Sequence, residues 1–362
     1  MDNIGLISIV KKRISELQEY GLRMIFTIAT TSKIEKNPYL TPIRKSNDFV
    51  VSGCVVFDKN NLIELLKLLD GVVDIILVDQ EKKIPISILD DKKIDNDTCT
   101  QGLVGSVDTG NFYSISSRVI LKSKVYGFKP NDLTVDAAWS FLNYKDTFLS
   151  GHKVSIMGAG NIGSKLALKI VECGSNVVIY GRSEYKNSMI SNGLNTIKAK
   201  NTISNINYSS DILKASFMSD IMICSANGAN IITSDVVSTL KNECIIIEIG
   251  KNNLTQEAID LALSRKIEIY RLDISASLIG YIYFLLKTID ILDNSYGKNK
   301  INDLTFVSGG YFGSKGDVVT DNCFNPKQIY GESDGKGSLA PIVNKKKQNK
   351  TKLIIERKDD GS

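Results

Sequence analysis

The chain has 362 residues, of which 43% are hydrophobic and 23% charged, an ordinary globular composition with room for two domains of about 150 residues each. Its net charge of +5 is local: residues 344–362 carry seven Lys or Arg against three acids, a net of +4, and residues 1–343 hold only +1. A near-neutral body with no basic helix or aromatic–basic face excludes the electrostatic footprint that nucleic acid requires.

The basic end (Lys345 to Lys347, Lys350, Lys352, Arg357, Lys358) reads as a solvated, disordered tail. No run reaches the ~18 apolar residues of a membrane span; the longest, Ser277 to Leu286, stops at Lys287. Near the start, the basic cluster Lys11–Arg13 follows the apolar run Met1–Val10, the wrong order for a signal peptide. Cys54, Cys99, Cys173, Cys224, Cys244 and Cys323 are scattered without a CxxC pair and read as reduced thiols. His152 is the only histidine, so no metal site built on two histidines exists, and no metal is expected.

Residues 1–130 form the first expected unit, an α/β substrate domain. Ile4 to Leu17 reads as a helix and Leu22 to Ile28 as a strand. Phe49 to Phe57 is a second strand, followed by a helix to Leu69 capped by Asn60 or Asn61. Val72 to Val78 is a third strand, with a fourth at Ile84 to Leu89 and a fifth at Tyr113 to Leu121. Asp108–Asn111 has turn composition, and Asp79-Gln-Glu81-Lys82-Lys83 reads as a solvated hairpin. Residues 131–150 are a connecting helix, with Asn131 or Asp132 as its cap. It must cross to the next domain, which brings its start near a cleft. Lys129 and Asp132 are therefore expected as proton donor and partner, provided that Lys129 is desolvated enough to titrate.

Residues 151–275 carry the chain's strongest signal. Val154 to Met157 is an apolar strand that ends in Gly158-Ala-Gly160-Asn161-Ile162-Gly163, and a helical pattern starts at once with Leu166, Ala167, Ile170 and Val171. Strand, glycine turn and helix in this order form the dinucleotide-binding fingerprint: one glycine for the turn, one for the pyrophosphate, one for helix packing. His152 sits at the opposite end of that strand and is expected at the surface. The next strand, Asn176 to Tyr180, closes in Gly181-Arg182-Ser183, without the carboxylate that would hold a ribose 2′-hydroxyl. Arg182 can instead bond a 2′-phosphate through its fork, so NADP is expected over NAD. Ser183 to Ser210 is polar, with short apolar patches. Strands follow at Ser219–Cys224, Glu243–Ile249 and Ile267–Leu272, with helices at Ile232–Leu240 and from Asn252 or Thr255 to Lys266. Their near-continuous apolar character implies a parallel sheet covered on both faces.

With Gly158 to Gly163, the small polar turn Ser225-Ala226-Asn227-Gly228, and Ile245 to Gly250, this segment resembles the cofactor domains of methylenetetrahydrofolate dehydrogenases, shikimate dehydrogenases and S-adenosylhomocysteine hydrolases. The resemblance covers residues 150–275. It implies that Ser225, Ala226, Asn227 and Gly250 lie against the nicotinamide and its ribose.

Residues 276–343 hold an apolar helix, read as core or dimer seam, and a Gly-rich segment from Ser308 to Gly337, read as a lid, an anion cradle or a connector. Asp273 is a further candidate for the cleft, or a helix cap. The expectation is a two-domain α/β protein: an N-terminal α/β domain, a doubly wound parallel-sheet Rossmann domain, then a C-terminal helix and extension. Its expected activity is that of a cytoplasmic, homodimeric NADP-dependent dehydrogenase or reductase on a small polar metabolite. The alternatives are a lyase or hydrolase with tightly held NAD(P), and a non-catalytic NADP-binding regulator.

Overall fold

The computed structural model describes residues 3–31, 37–84, 111–145 and 148–359. The expected strand at Ile84–Leu89, residues 108–110 of the expected turn and Cys99 lie outside the described residues, apart from Ile84. The chain divides into two compact units, residues 1–279 and 280–362.

The first unit opens with α1 (Asn3–Gln18), β1 (Arg23–Ala29), β2 (Tyr39–Lys45), β3 (Phe49–Val55), α2 (Lys59–Leu69), β4 (Ile75–Asp79), α3 (Phe112–Val119), β5 (Lys124–Phe128) and α4 (Pro130–Lys145). Five strands form a sheet in the order β2-β3-β1-β4-β5, parallel except for the edge strand β2. Every residue of β3 and β4 is buried. On one face pack Leu6, Val10 and Leu17 of α1, Leu62, Leu65, Leu66 and Leu69 of α2, and Phe112 and Ile115 of α3. Helical spacing of three and four puts each set on one stripe.

Several expectations change here. Tyr113–Leu121 is helix, not strand: Asn111 and Ser114 form a reciprocal capping box, and Phe112 and Ile115 are buried one turn apart. The cap of α2 is Asp58, which accepts the Asn61 amide at 2.8 Å. β2 and β5 carry no alternation that marks them in advance; β5 is sealed because Gly127 lacks a side chain, a Cβ there falling 1.9 Å from Gln80 Nε2.

A second sheet follows: β6 (Lys153–Met157), α5 (Asn161–Glu172), β7 (Asn176–Tyr180), α6 (Glu184–Ile197), β8 (Ile206–Ser209), α7 (Ile212–Ser216), β9 (Ile221–Cys224), α8 (Ser234–Ser238), β10 (Ile245–Glu248), α9 (Gln256–Ser264) and β11 (Glu268–Arg271). All its strands are parallel, in the order β8-β7-β6-β9-β10-β11, which is the doubly wound Rossmann arrangement. Separate apolar clusters cover its two faces. The polar stretch after Arg182 contains α6, which docks through Ile190 and Leu194 and through hydrogen bonds. Ser191 Oγ and Asn195 Nδ2 both donate to the Ile206 carbonyl, at 2.5 and 2.7 Å.

Helix α10 (Ser275–Asn294) spans the division between the units. By length and composition it is apolar enough to cross a membrane, at a mean hydropathy of 1.4 with 11% of the window buried, so the sequence count of ~18 residues understated it. The second unit contains β12 (Gly297–Ile301), β13 (Leu304–Ser308), β14 (Val318–Thr320), β15 (Ile329–Ser333), β16 (Leu339–Ala340) and α11 (Lys345–Asp359). The Gly-rich segment thus contains β14 and β15 of a five-stranded sheet in sequential order, and the basic end is a helix, not a loose tail. Lys347 pairs with Glu332 at 2.7 Å, and Ile354 joins Phe306, Val318 and Cys323 in a small core.

Candidate functional site

The turn after β6 and the turn after β9 meet where the strand order reverses, the place where open α/β sheets bind ligands. Gly158 has φ of +129°, a region closed to most side chains. Gly163 lets α5 approach: a Cβ there would stand 2.0 Å from the Gly158 carbonyl oxygen. Gly160 differs, because a Cβ there would meet nothing within 4 Å. Gly160 also caps α5 without any side-chain hydrogen bond, so the amides of Asn161, Ile162 and Gly163 open on free space at a helix N-terminus. This cradle fits a pyrophosphate.

At the end of β7, Asn187 donates to the Gly181 carbonyl at 2.7 Å, and Ser183 caps α6. Arg182 is exposed between them and makes no ion pair among the described residues. The turn Ser225–Gly228 is held by a residue that sequence reasoning missed, the fully buried Asn253, whose Nδ2 donates to Ala226 O and Gly228 O at 3.1 and 2.5 Å. Gly250 is required beside it, since a Cβ would fall 2.6 Å from Ala226 O.

These turns form one wall of a cavity of about 430 Å³ inside the first unit. Ile162, Ser225, Asn227, Gly250 and Lys251 line it from the Rossmann sheet; Thr27, Thr30, Tyr39, Thr41, Arg44 and Lys83 line it from the first sheet. The start of α4 closes it with Pro130, Asn131 and Thr134. The C-terminal ends of the parallel strands of both sheets therefore face one space.

In the stretch expected as a solvated hairpin, Gln80 and Lys82 are exposed, but Asp79, Glu81 and Lys83 are withdrawn from solvent and Lys83 lines this cavity. Lys83 Nζ lies 2.7 Å from Asp79 Oδ2 and 3.1 Å from Glu81 Oε2, with the three side chains 11, 0 and 12% exposed. Asp79 also accepts the amides of Glu81 at 2.8 Å and Thr30 at 3.3 Å. Burial pushes its carboxyl above the ordinary range, against the pull of Lys83 and these amides. Glu81 in turn accepts the Asn131 amide at 3.1 Å. Since α4 begins at Pro130, an acceptable first residue because its nitrogen has no hydrogen to leave unpaired, Glu81 serves where Asn131 or Asp132 was expected as cap.

Two more cations reach the cavity. Arg44 Nε donates to Ser275 Oγ at 2.6 Å, and Lys251 Nζ stands 5.7 Å from the centre of the Tyr39 ring. Neither makes an ion pair among the described residues.

The expected catalytic residues lie elsewhere. Lys129 is 51% exposed and 2.8 Å from Asp132, whose hydrogen bond raises the lysine further above its ordinary value. The desolvation that its proposed role needs is missing. Burial pushes the Asp132 carboxyl up, but bonds from Lys129 and Lys165 outweigh it and hold it low. Neither residue lines the cavity. Asp273 is exposed and accepts Ser275 N and Oγ at 2.8 and 2.6 Å, which lowers its pKa and makes it a cap for α10. His152 precedes β6, at the end of the sheet away from the cavity. Among the described residues no cluster of His, Cys, Asp and Glu suits a metal ion.

Residues 129–277 match the family profile of the D-isomer specific 2-hydroxyacid dehydrogenase NAD binding domain. No curated protein matches the sequence. Among solved structures, the dipicolinate synthase A chain of Bacillus subtilis is 15% identical over 68% of this chain and 72% of that one, with a TM-score of 0.34. L-tryptophan dehydrogenase of Nostoc punctiforme is 14% identical over 71% and 72%, at 0.38. Ornithine carbamoyltransferase of Pyrococcus furiosus is 11% identical over 75% and 88%, also at 0.38.

The profile match and the glycine cradle agree on the class: residues 129–277 contain an NAD(P)-binding Rossmann domain. The chain is an oxidoreductase that depends on a nicotinamide dinucleotide.

Proposed function

We propose that the protein is an NADP-dependent dehydrogenase or reductase whose substrate is a small polar molecule with an anionic group, taken into the 430 Å³ cavity. The observation that carries this reading is the convergence at that cavity of the cofactor turns, Ser225–Asn227 and Gly250, with two cations that make no ion pair among the described residues, Arg44, whose charge also reaches Asp273, and Lys251. An anion between them is attracted by both charges, and a guanidinium suits a carboxylate in particular.

When bound, the dinucleotide supplies or accepts a hydride. The amides of Asn161 to Gly163 would hold its pyrophosphate, and Ser225, Asn227 and Gly250 would line the nicotinamide end. The exposed Arg182, with no carboxylate at the close of β7, supports NADP over NAD. The same reading makes the working unit a homodimer, supported by the exposed Tyr283, Phe284 and Leu292 of α10.

The test is to titrate the protein with NADPH and NADH by nicotinamide fluorescence, then assay NADPH oxidation with pyruvate, glyoxylate, oxaloacetate and 2-oxoglutarate. Tighter binding of NADPH together with turnover of at least one acid is expected. A protein that binds NADPH and turns over nothing is a regulator instead.

A further inference from the structure

We infer that Lys83, anchored by Asp79 and Glu81, is the catalytic residue that hands the proton to the substrate during reduction, and takes it back during oxidation. This rests on the reading of the cavity as the substrate site.

Three observations carry it. First, among the described cations that line the cavity, only Lys83 is both largely buried, at 11% exposure, and able to release a proton. Arg44 is a guanidinium, which stays charged in proteins and therefore binds an anion without titrating. Lys251 is exposed to water.

Second, Lys83 is held in place. Of its three N–H bonds, two are directed to carboxylates at 2.7 and 3.1 Å, which leaves the third for whatever occupies the cavity. Asp79 is fully buried at the end of β4 and is itself fixed by two backbone amides. A general acid locked by such partners is positioned before the substrate arrives.

Third, Lys83 lines the same cavity as the cofactor turns Ser225, Asn227 and Gly250, so its proton can pass to a substrate oxygen there as negative charge develops on it. In the reductive direction the carbonyl carbon receives the hydride, and the C=O π electrons move to oxygen. Lys83 Nζ then releases one proton to that oxygen, completing CH–OH and leaving a neutral amine. The amine regains a proton from solvent, and Asp79 and Glu81 draw it back. Glu81 is a positioning residue: it touches Lys83 and the first turn of α4, and through them alone would affect the reaction.

The test uses the full chain loaded with NADPH and three variants. In Lys83→Met the kcat for the best acid of the panel is expected to fall by about 100- to 10,000-fold, the range for a lost general acid. Oxamate serves as an inert probe, and its binding, read from quenching of bound NADPH fluorescence, is expected to weaken at least about tenfold for the lost donor, with NADPH affinity within twofold of wild type. Lys83→Arg separates the roles: it keeps a donor and binds oxamate, yet does not turn over, because the guanidinium holds its proton. Lys83→Met leaves Asp79 buried without its cation and can fail to fold. The double variant Asp79→Asn/Lys83→Met removes both charges and is expected to fold and bind NADPH while staying inactive.

Turnover by Lys83→Met or by the double variant within threefold of wild type overturns the role of Lys83 and leaves the dehydrogenase reading intact. So does unchanged oxamate binding in Lys83→Met. A wild-type protein that binds NADPH but oxidises it with no acid of the panel overturns both readings.

Discussion

Glu81 joins two parts of the first unit: its Oε2 accepts the Asn131 amide at 3.1 Å, so a residue that follows one strand of the first sheet caps the helix leading to the second. Free amides at a helix start favour an anionic acceptor, and here the acceptor also holds the cavity lysine.

Replacing Glu81 with Ala should therefore have two effects. Loss of the cap should lower stability by about 1 kcal/mol, within the 0.5–2 kcal/mol typical of cap removal. Lys83 should also lose one of its two anchors, so kcat should fall while KM for the substrate moves little. Urea unfolding and steady-state kinetics on one preparation measure both, and Glu81→Gln should recover most of the stability and little of the rate.

The two central glycines of the fingerprint should fail differently. Gly160→Ala places a methyl where nothing stands within 4 Å; the protein should melt within a degree or two of wild type and lose dinucleotide affinity by at least about tenfold, because the methyl enters the phosphate cradle. Gly163→Ala drives a methyl to 2.0 Å of the Gly158 carbonyl oxygen. It should cost about 1–3 kcal/mol of stability as well as affinity, as for other overpacked sites. Thermal melts with and without NADPH distinguish the two.

Arg182 should decide between the cofactors. Arg182→Asp removes the fork and adds a charge that repels a 2′-phosphate while accepting from ribose hydroxyls. NADPH affinity should drop at least about tenfold and NADH affinity should rise. Equal affinity changes for both nucleotides would remove Arg182 from the 2′-phosphate site.

Asp70 provides an acid-sensitive joint. It accepts the amides of Leu121, Lys122 and Ser123 at 3.1, 2.8 and 3.0 Å, which ties the end of α2 to the turn before β5. Burial tends to raise its pKa, but the three amides and the nearby Lys122 charge outweigh that and hold it below the ordinary carboxylate range. A depressed carboxylate contributes stability above its unfolded pKa of about 4 and loses it as pH falls through the folded value. Asp70→Ala should thus cost about 1–3 kcal/mol at pH 7. The gap from wild type should shrink as pH is lowered below about 4, which urea unfolding at pH 7 and pH 3 would reveal.

Sequence reading went furthest where local chemistry is self-sufficient. The turn Gly158–Gly163 needs backbone freedom and close approach at set spacings, so its glycines announce it, and the parallel strands β6, β7, β9 and β10 announce themselves as buried apolar runs. It missed α6 because that helix packs only Ile190 and Leu194 against the core and otherwise docks through Ser191 and Asn195, an apolar stripe too short to count. It misread α3 as strand because its Ser-rich, β-branched composition outweighed the Asn111–Ser114 capping box. It treated the end of the chain as tail, because a basic helix with a short buried edge has the composition of a solvated one.

The choice of catalytic lysine shows the division most clearly. Lys129 and Lys83 look alike in a sequence: each stands near acids and close to the end of a strand. Nothing local says which one loses its water. That is decided by where the surrounding elements lie in space, and they leave Lys129 half exposed beside Asp132 while enclosing Lys83 between Asp79, Glu81 and the start of α4. The sequence by itself determined the dinucleotide cradle, since turn geometry and helix packing are short-range demands written in adjacent residues. Only the tertiary structure determined the rest of the site. Burial and charge pairing at the cavity arise from residues as far apart as Arg44, Lys83 and Gly250, and desolvation is a property of the assembled fold.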